Sequence, residues 1–282
     1  MNWFIYGLGG LAAAGAAYLW GMWEAAQLTV RAETLRFPDL PAAFDGFRIV
    51  QVSDPHLPRA PRPGEGARWR GERIAEMCRQ ARPDVIALTG DLVRGRRSQS
   101  GGWALLERLA PIAPTFVIPG NEDYQVCEKD LRLDFADTLA RWRETGAAVL
   151  MNAARPITRD GDTLWLAGTD DSHEHKDDLD AAFANIPADG FIVLLSHSPE
   201  IITDPRSGRA RLILCGHTHG GQICLPGGYP VFTHSAAGRA YAKGLLRVRG
   251  SWLSVSRGIG AVTIPIRLFC TPEVVVLELR RG

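Results

Sequence analysis

Short apolar segments that each end at a possible metal ligand are the feature that most constrains how this chain can fold. Such segments are typical of buried β-strands. In an α/β sheet the residues that follow the strands collect at one rim, so distant parts of the chain can converge there. The segments and the residues that follow them are Arg48–Ser53 with Asp54-Pro-His56, Asp84–Thr89 with Gly90-Asp91, Thr115–Ile118 with Gly120-Asn121, Ile192–Ser196 with His197, and Leu212–Cys215 with Gly216-His217-Thr-His219.

The donor groups in this series are two carboxylates, four imidazoles and one amide, which suits a pair of metal ions. Imidazole favours Zn, Fe and Mn, whereas carboxylate favours harder cations. Only a carboxylate has two oxygens with which to bridge two ions, and Asp91 is the natural bridge. Two ions about 3.5–4 Å apart generate hydroxide at neutral pH and hold both the attacking and the leaving oxygen. Each motif alone is weak evidence for a metal site, and the prediction of two metal ions rests on the whole ordered set of motifs.

Helical stretches alternate with strands in the first half of the chain, and strands dominate the second half. This order predicts a layered α/β fold around two sheets. No linker divides the region, so one catalytic domain is expected over residues 45–282, after a connecting segment at 24–44 that could hold an edge strand. The other predicted elements are helices at Glu72–Ala81, Trp103–Leu109 and Asp130–Glu144, strands at Thr163–Ala167, Leu245–Val248, Trp252–Val255 and Val274–Leu279, and a hairpin turn at Arg249-Gly250.

Residues 1–23 carry no charged side chain and predict an N-terminal transmembrane helix. Aromatic residues stand near both ends, where a bilayer has its interfaces. A cleaved signal peptide would have Lys or Arg before the apolar run, and a buried globular helix would rarely hold so many glycines. Arg31, Arg36 and Arg48 follow the segment, so the positive-inside rule places the bulk of the chain in the cytoplasm.

Composition argues against other classes of protein. The 282 residues include 32 Lys+Arg and 31 Asp+Glu, and 46% are hydrophobic. These values exclude a disordered chain and a wholly basic nucleic-acid binder, so no nucleic-acid partner is expected. The five cysteines are widely spread and include no Cys-x-x-Cys pair, which argues against a disulfide framework.

In their order, the motifs resemble those of the calcineurin-like metallophosphoesterases over roughly residues 45–280. Three further segments are similar to later signatures of the membrane-associated, YaeI-like phosphodiesterase branch of this family: Gly216–Gln222, Ser256–Gly260 and Pro265-Ile-Arg267. The resemblance implies a four-layer αββα sandwich that binds two divalent ions (Mn, Zn or Fe), with a bridging hydroxide that attacks phosphorus directly. The implied ligands are Asp54, His56, Asp91 and His219 for the first ion, and Asp91, Asn121, His197 and His217 for the second.

One position departs from the family pattern. The family usually has histidine after Gly-Asn, where it contacts the phosphate and helps the leaving group depart, whereas this chain has Glu122 followed by Asp123. Beside two cations a carboxylate is favoured in its ionised form, so Glu122 would donate a proton poorly and repel a phosphate. Arginines of the 59–73 segment could compensate, or the segment is a solvated basic loop. Its arginines are Arg59, Arg62, Arg68, Arg70 and Arg73.

Two further features have alternative interpretations. Gly220-Gly221 beside His219 could let the backbone approach a substrate phosphate, or could form a plain tight turn. The segment Asp170–Asp178 places His173 and His175 two residues apart. It could form an accessory metal site, or an exposed acidic loop that leads into a helix.

The sequence therefore predicts a dinuclear metal-dependent phosphohydrolase that cleaves phosphodiester or pyrophosphate bonds. Catalytic roles fall to Asn121, Glu122 and His217, and substrate contacts to Glu122 and Gly220. An anchor at the bacterial cytoplasmic membrane, with the catalytic domain in the cytoplasm, favours a lipid-linked substrate. UDP-2,3-diacylglucosamine, an intermediate of lipid A synthesis, is a precedent in the resembling branch.

The alternative is a membrane-tethered metal-binding protein of this fold in which Glu122 marks weakened or lost catalysis. Metal identity and oligomeric state are left open.

Overall fold

Two six-stranded sheets form the centre of the protein. The computed structural model describes residues 2–60, 69–93, 99–129 and 134–282, without the side chains of residues 2–9 and 126–129. The first sheet has the order β1 (Thr29–Phe37), β14 (Glu273–Arg281), β2 (Phe47–Val52), β3 (Val85–Thr89), β4 (Thr115–Ile118) and β5 (Ala148–Val149). The second has the order β12 (Gly244–Val248), β13 (Ser251–Val255), β9 (Leu212–Cys215), β8 (Phe191–Leu195), β7 (Asp162–Gly168) and β6 (Ala153–Arg159).

The described part of the chain also contains six α-helices and a small ribbon, besides short 3₁₀ turns. The helices are α1 (Asn2–Ala26), α2 (Arg70–Ala81), α3 (Gln99–Leu109), α4 (Asn121–Lys129), α5 (Phe135–Glu144) and α6 (Leu179–Phe183). The ribbon pairs β10 (Cys224–Leu225) with β11 (Tyr229–Pro230) in antiparallel fashion.

Alternation along the central strands creates three separate apolar cores, because successive side chains of a strand point to opposite faces. In β8, Val193 packs into the core between the two sheets, whereas Ile192 packs against α6. In β3, Ala87 joins the core between the sheets, and Ile86 packs with α2, α3 and α5. Two sheets between two helical layers give the αββα sandwich that the resemblance implied.

Parallel pairing places the candidate ligands at one rim. In the first sheet β2, β3 and β4 run parallel to one another, and in the second β7, β8 and β9 do so. Their carboxyl ends therefore meet at the same edge of each sheet. The side chain of Gln51 at the end of β2 joins the two sheets there, because its Nε2 donates to the carbonyl of Cys215, 2.9 Å away.

The predicted elements of the domain are present, with shifted boundaries. The predicted strand Thr115–Ile118 has the same bounds in the structure, and the strand predicted at Ile192–Ser196 is Phe191–Leu195. Arg249-Gly250 turns the β12–β13 hairpin with φ positive at both residues. The helix predicted over Asp130–Glu144 begins at Phe135, and residues 130–133 lie outside the described residues. Helix α4 and strands β5, β6, β10 and β11 were not predicted.

The N-terminal region differs from the prediction. Within the described residues, no helix combines the length and the mean hydropathy that a membrane-crossing segment requires, so the predicted transmembrane helix over residues 1–23 is not supported. The last turns of α1 instead pack on the domain, where Gly21, Glu24 and Ala25 are buried. The predicted connecting segment contains β1, an edge strand that pairs in parallel with β14 from Thr29 to Phe37.

Candidate metal centre

All seven predicted ligands meet at the shared rim of the two sheets. Asp54 and His56 follow β2, Asp91 follows β3, and Asn121 follows β4, so the first sheet supplies one side of the site. The second sheet supplies the other side: His197 follows β8, and both His217 and His219 follow β9. Asn121 is half-buried and the other six side chains are buried. The strand ends thus bring together residues from five separate segments.

One group of donor atoms forms a first candidate site. The Nε2 atoms of His56 and His219 are 3.1 Å apart, and His56 Nε2 lies 3.5 Å from Asp91 Oδ2. Asp54 Oδ1 lies 3.7 Å from His219 Nε2. Two imidazole nitrogens at such a distance repel each other unless a proton or a cation lies between them, so this donor set fits a metal ion.

A second group of donor atoms lies beside the first. His197 Nε2 is 3.2 Å from Asn121 Oδ1 and 3.2 Å from His217 Nδ1. The same His197 atom lies 3.5 Å from Asp91 Oδ2. Asp91 Oδ2 is therefore equally distant from a histidine of each group, and Asp91 is the carboxylate that could bridge two ions.

The electrostatics of the site suit cation binding. Burial, together with His197, lowers the pKa of His217 to about 3, and burial, with His56 and Arg267, holds the pKa of His219 well below its usual value. Both imidazoles are therefore neutral and have a lone pair for a metal. Burial opposes ionisation of Asp91, but His197 and His56 outweigh burial and lower the pKa of its carboxyl. The Asp91 carboxylate is therefore negatively charged.

The backbone at the site adopts an unusual conformation. Five candidate ligands that are not glycine have positive φ, a region that such residues rarely adopt. They are Asp54 (φ 48°), His56 (41°), Asp91 (54°), His217 (66°) and His219 (50°). The glycines of the motifs have a steric reason: a Cβ on Gly90 would lie 2.4 Å from His197 Nδ1, and one on Gly120 would lie 2.3 Å from Asp91 Oδ1.

Backbone carbonyls orient the histidines of the second group. His197 Nδ1 lies 2.8 Å from the carbonyl oxygen of Thr89, and His217 Nε2 lies 3.1 Å from that of His234. A ring N–H that donates to a carbonyl fixes the tautomer and leaves the other nitrogen free to bind a metal. Those other nitrogens are the ones that converge on the second site.

Glu122 lies next to the carboxylate of Asp91. Its backbone N–H donates to Asp91 Oδ1 over 2.9 Å, and its side chain is half-buried near the start of α4. The next residue, Asp123, is buried, and its two oxygens accept the N–H groups of Leu92 and Gly120, each over 3.0 Å. Asp123 therefore ties the loop after β3 to the loop after β4.

The arginines that could compensate for Glu122 have other partners where they are described. Arg70 donates to the carbonyl of Ala25 and Arg73 to that of Leu28, so both bind the chain at the end of α1. Arg59 donates to the carbonyl of Ala60. Arg62 and Arg68 lie outside the described residues.

The segment Asp170–Asp178 contributes one residue to the surroundings of the second site. The ring of His173 packs against that of His217, with centroids 4.3 Å apart, and its Nδ1 lies 3.2 Å from Glu200 Oε2. His175 is exposed, so the two histidines point to different surroundings. Helix α6 does follow Asp178, whose side chain accepts the N–H of Ala181.

Gly220 has both of its backbone polar groups occupied. Its N–H donates to Thr218 Oγ1, and its carbonyl accepts from the thiols of Cys224 and Cys270. A Cβ at Gly220 would lie 2.8 Å from Cys270 Sγ, and φ is +62°, which explains the glycine without a ligand. Its predicted substrate contact stays a prediction.

Sequence reasoning gave no role to Arg267, which is fully buried and lies 3.2 Å from His219 Nδ1. It also missed Tyr124, whose hydroxyl donates to Asp170. The run Pro265-Ile-Arg267 is similar to a signature of the resembling branch, but nothing in it indicated a partner for the arginine. Tyr124 carries no signal beyond its position three residues after Asn121.

Comparisons with known proteins agree with this geometry. The family model described as calcineurin-like phosphoesterase matches residues 47–221. The "Uncharacterized metallophosphoesterase YkuE" of Bacillus subtilis is 27% identical, covering 98% of this chain and 96% of the relative. The "Phosphodiesterase YaeI" of Escherichia coli is 34% identical, covering 71% of this chain and 72% of the relative. A zebrafish "Transmembrane protein with metallophosphoesterase domain" is 27% identical over 86% of this chain and 55% of its own length.

Proposed function

The chain belongs to the calcineurin-like phosphoesterase family of metal-dependent phosphoester hydrolases, and we propose that it uses two divalent ions to cleave phosphodiester or pyrophosphate bonds. The position of Asp91 carries the proposal of two ions. One of its oxygens lies 3.5 Å from a histidine nitrogen on either side, as a bridging carboxylate requires.

In this proposal the first ion is held by Asp54, His56 and His219, and the second ion by Asn121, His197 and His217. Asp91 holds both ions. When bound, such ions activate water and neutralise the charge of the phosphoryl oxygens. The protein's part is to keep the donor atoms fixed. The carbonyls of Thr89 and His234 do this for two of the histidines, and the contacts of Asp123 do it for the loops that carry Asp91 and Asn121.

The test combines metal content with turnover of bis-p-nitrophenyl phosphate on the same sample. We expect about two equivalents of metal and measurable turnover in the wild type. Asp91→Ala should lower both. Asp84→Ala is the matched control, because Asp84 lies just before β3, at the opposite end of the strand, and accepts the N–H of Arg48. Two equivalents and full turnover in Asp91→Ala would refute the proposal.

The second candidate is a metal-binding protein of this fold with weakened or lost catalysis. Glu122 favours it, since its backbone N–H donates to Asp91 and an ionised carboxylate at this position would repel an incoming phosphate. Glu122→His separates the two candidates. A large gain in turnover with unchanged metal content indicates a weakened site, whereas a loss indicates that Glu122 serves the reaction.

We further propose that α1 places the domain at a bacterial cytoplasmic membrane, with the catalytic domain in the cytoplasm and a lipid-linked diphosphate such as UDP-2,3-diacylglucosamine as substrate. Exposed apolar side chains on α1 and on the adjacent loop support the proposal. They are Leu11, Tyr18, Leu19, Trp20, Met22, Trp23 and Phe269. The full chain should pellet with vesicles of phosphatidylethanolamine and phosphatidylglycerol, and a chain that stays in the supernatant would argue against it.

A further inference from the structure

Arg267 is a fully buried cation whose hydrogen bonds go mainly to backbone carbonyls. Its Nε donates to Gly260 O (3.1 Å), its Nη1 donates to Arg257 O (2.7 Å) and His219 O (3.0 Å), and its Nη2 contacts Gly260 O and His219 Nδ1. Burial removes the guanidinium from water, which disfavours a charge unless it is hydrogen-bonded. A charge buried at such a cost indicates a specific task for the side chain.

The carbonyls that Arg267 binds belong to the loops behind the first metal site. Gly260 donates its N–H to the carbonyl of Asp54 over 2.7 Å, and a Cβ on Gly260 would lie 2.6 Å from His56 Cβ. His219 is held directly through its carbonyl, which accepts from Arg267 Nη1. One guanidinium therefore supports the three residues that hold only the first ion.

The end of α1 fixes Arg267 from the other side. The backbone N–H of Arg267 donates to Gly21 O over 2.9 Å. The buried carboxylate of Glu24 accepts the N–H groups of Phe269 (2.9 Å) and Cys270 (2.7 Å), and also the hydroxyl of Thr271 (3.0 Å). Four hydrogen bonds therefore join one turn of α1 to the loop that carries Arg267.

We propose that Arg267 is a positioning residue for the first metal ion and that the last turn of α1 holds it in place. Tight binding of a metal ion at the first site then requires that α1 is packed correctly, whereas binding of an ion at the second site does not. The second site is oriented by Thr89, His234 and Asp123, none of which hydrogen-bonds to Arg267 in the described part of the chain. The inference rests on the proposed two-ion centre.

Two variants test it in the full chain. Arg267→Lys keeps the charge but loses the planar set of donors that reaches several carbonyls. Glu24→Gln keeps the shape but directs an amide NH₂ group at backbone N–H donors. Glu33→Gln is the matched control, because Glu33 lies in β1 and its carboxylate pairs with Arg31 rather than with α1 or the loop that carries Arg267.

The measurement is titration of the metal-free protein with Mn²⁺, followed by electron paramagnetic resonance of free and bound ion. Two backgrounds isolate the sites: Asn121→Ala retains the first, and His56→Ala retains the second. In the Asn121→Ala background, we expect Arg267→Lys to weaken Mn²⁺ binding about 10- to 100-fold, as for other residues that orient metal ligands. In the His56→Ala background, we expect Arg267→Lys to leave Mn²⁺ binding unchanged. Glu24→Gln should shift binding in the same direction by a smaller factor.

Equal weakening in both backgrounds, or none in either, would overturn the inference. A wild type that binds a single ion would instead contradict the proposed two-ion function, so the two failures are distinguishable. Circular dichroism of the metal-free proteins verifies folding. If Arg267→Lys does not fold, Glu24→Gln carries the test, because it leaves the guanidinium intact.

Discussion

The two halves of the metal centre are oriented by different means. In the second half, His197 and His217 each place a ring nitrogen at a backbone carbonyl, that of Thr89 or His234. In the first half, the ring of His219 contacts the Arg267 guanidinium, and His56 Nδ1 is buried with no hydrogen-bond partner among the described residues. Backbone carbonyls, one at the end of β3 and one in a loop, thus hold the second half, and a side chain that is distant in sequence supports the first half.

This difference affects how each half depends on the rest of the chain. A carbonyl accepts a ring N–H and so keeps the proton away from the nitrogen that faces the metal, whereas a guanidinium can only donate. The positions of the candidate ligands in the first half are therefore fixed by the packing of the loops around Gly260 and His219. Those loops depend on α1 and on residues near the end of the chain. The first site should accordingly be the more sensitive to changes far from it.

The largest effect should follow a change that damages both halves at once. Asp91→Asn keeps the shape of the side chain but removes the charge and replaces one ligand oxygen with a donor group. We expect turnover of bis-p-nitrophenyl phosphate to fall by more than about 100-fold, since even residues that merely orient ligands cost 10–100-fold. Metal content should fall at both sites, and loss of a single ion would contradict the role of Asp91 as a bridge.

A change in one half should cost one ion. Asn121→Ala removes a donor of the second site, and His56→Ala removes a donor of the first, so each protein should retain about one equivalent of metal and lose most of its turnover. Metal analysis after gel filtration checks this. If either variant retained two equivalents, or lost both, the halves would not be separable in the way that the distances indicate.

A smaller effect is expected where a side chain supports backbone rather than metal. Asp123→Asn replaces one of two oxygens that accept buried N–H groups of Leu92 and Gly120. An unsatisfied buried group of this kind costs about 1–3 kcal/mol, so the free energy of unfolding should fall by that amount. Urea unfolding of the metal-free protein measures it. An unchanged midpoint would show that water replaces the lost acceptor.

The sequence predicted the rim of the sheets well, because its signals there are local. Asp54, Asp91 and His197 each follow a buried strand, and the rule that strand ends converge at one edge was enough to group them. Sequence patterns do not reveal the conformation of the ligands. The positive φ of His56 and His217 results from tertiary contacts that hold these residues in a rarely adopted region.

The contacts that hold the first site in place could not be predicted from the sequence, and the reason is different. The partners of Arg267 are carbonyls, which every residue has, so no residue type marks them. Glu24 follows an uncharged stretch that resembles a membrane anchor, and the burial of its carboxylate depends on a loop that begins about 240 residues later. Pairing of β1 with β14 joins the same distant regions, and long-range contacts of this kind leave no periodic pattern.

The smallest effect on the metal centre should come from the exposed face of α1. Trp20 is 52% exposed and Trp23 is 55% exposed, whereas Gly21 and Glu24, which hold the Arg267 loop, are buried. Replacing both indoles with serine should therefore change the free energy of unfolding by no more than about 0.5 kcal/mol and leave Mn²⁺ binding unchanged. Vesicle pelleting of the same variant should decrease if this face meets a membrane. Weaker binding at the first site would show instead that the indoles, rather than Glu24, fix the helix on the domain.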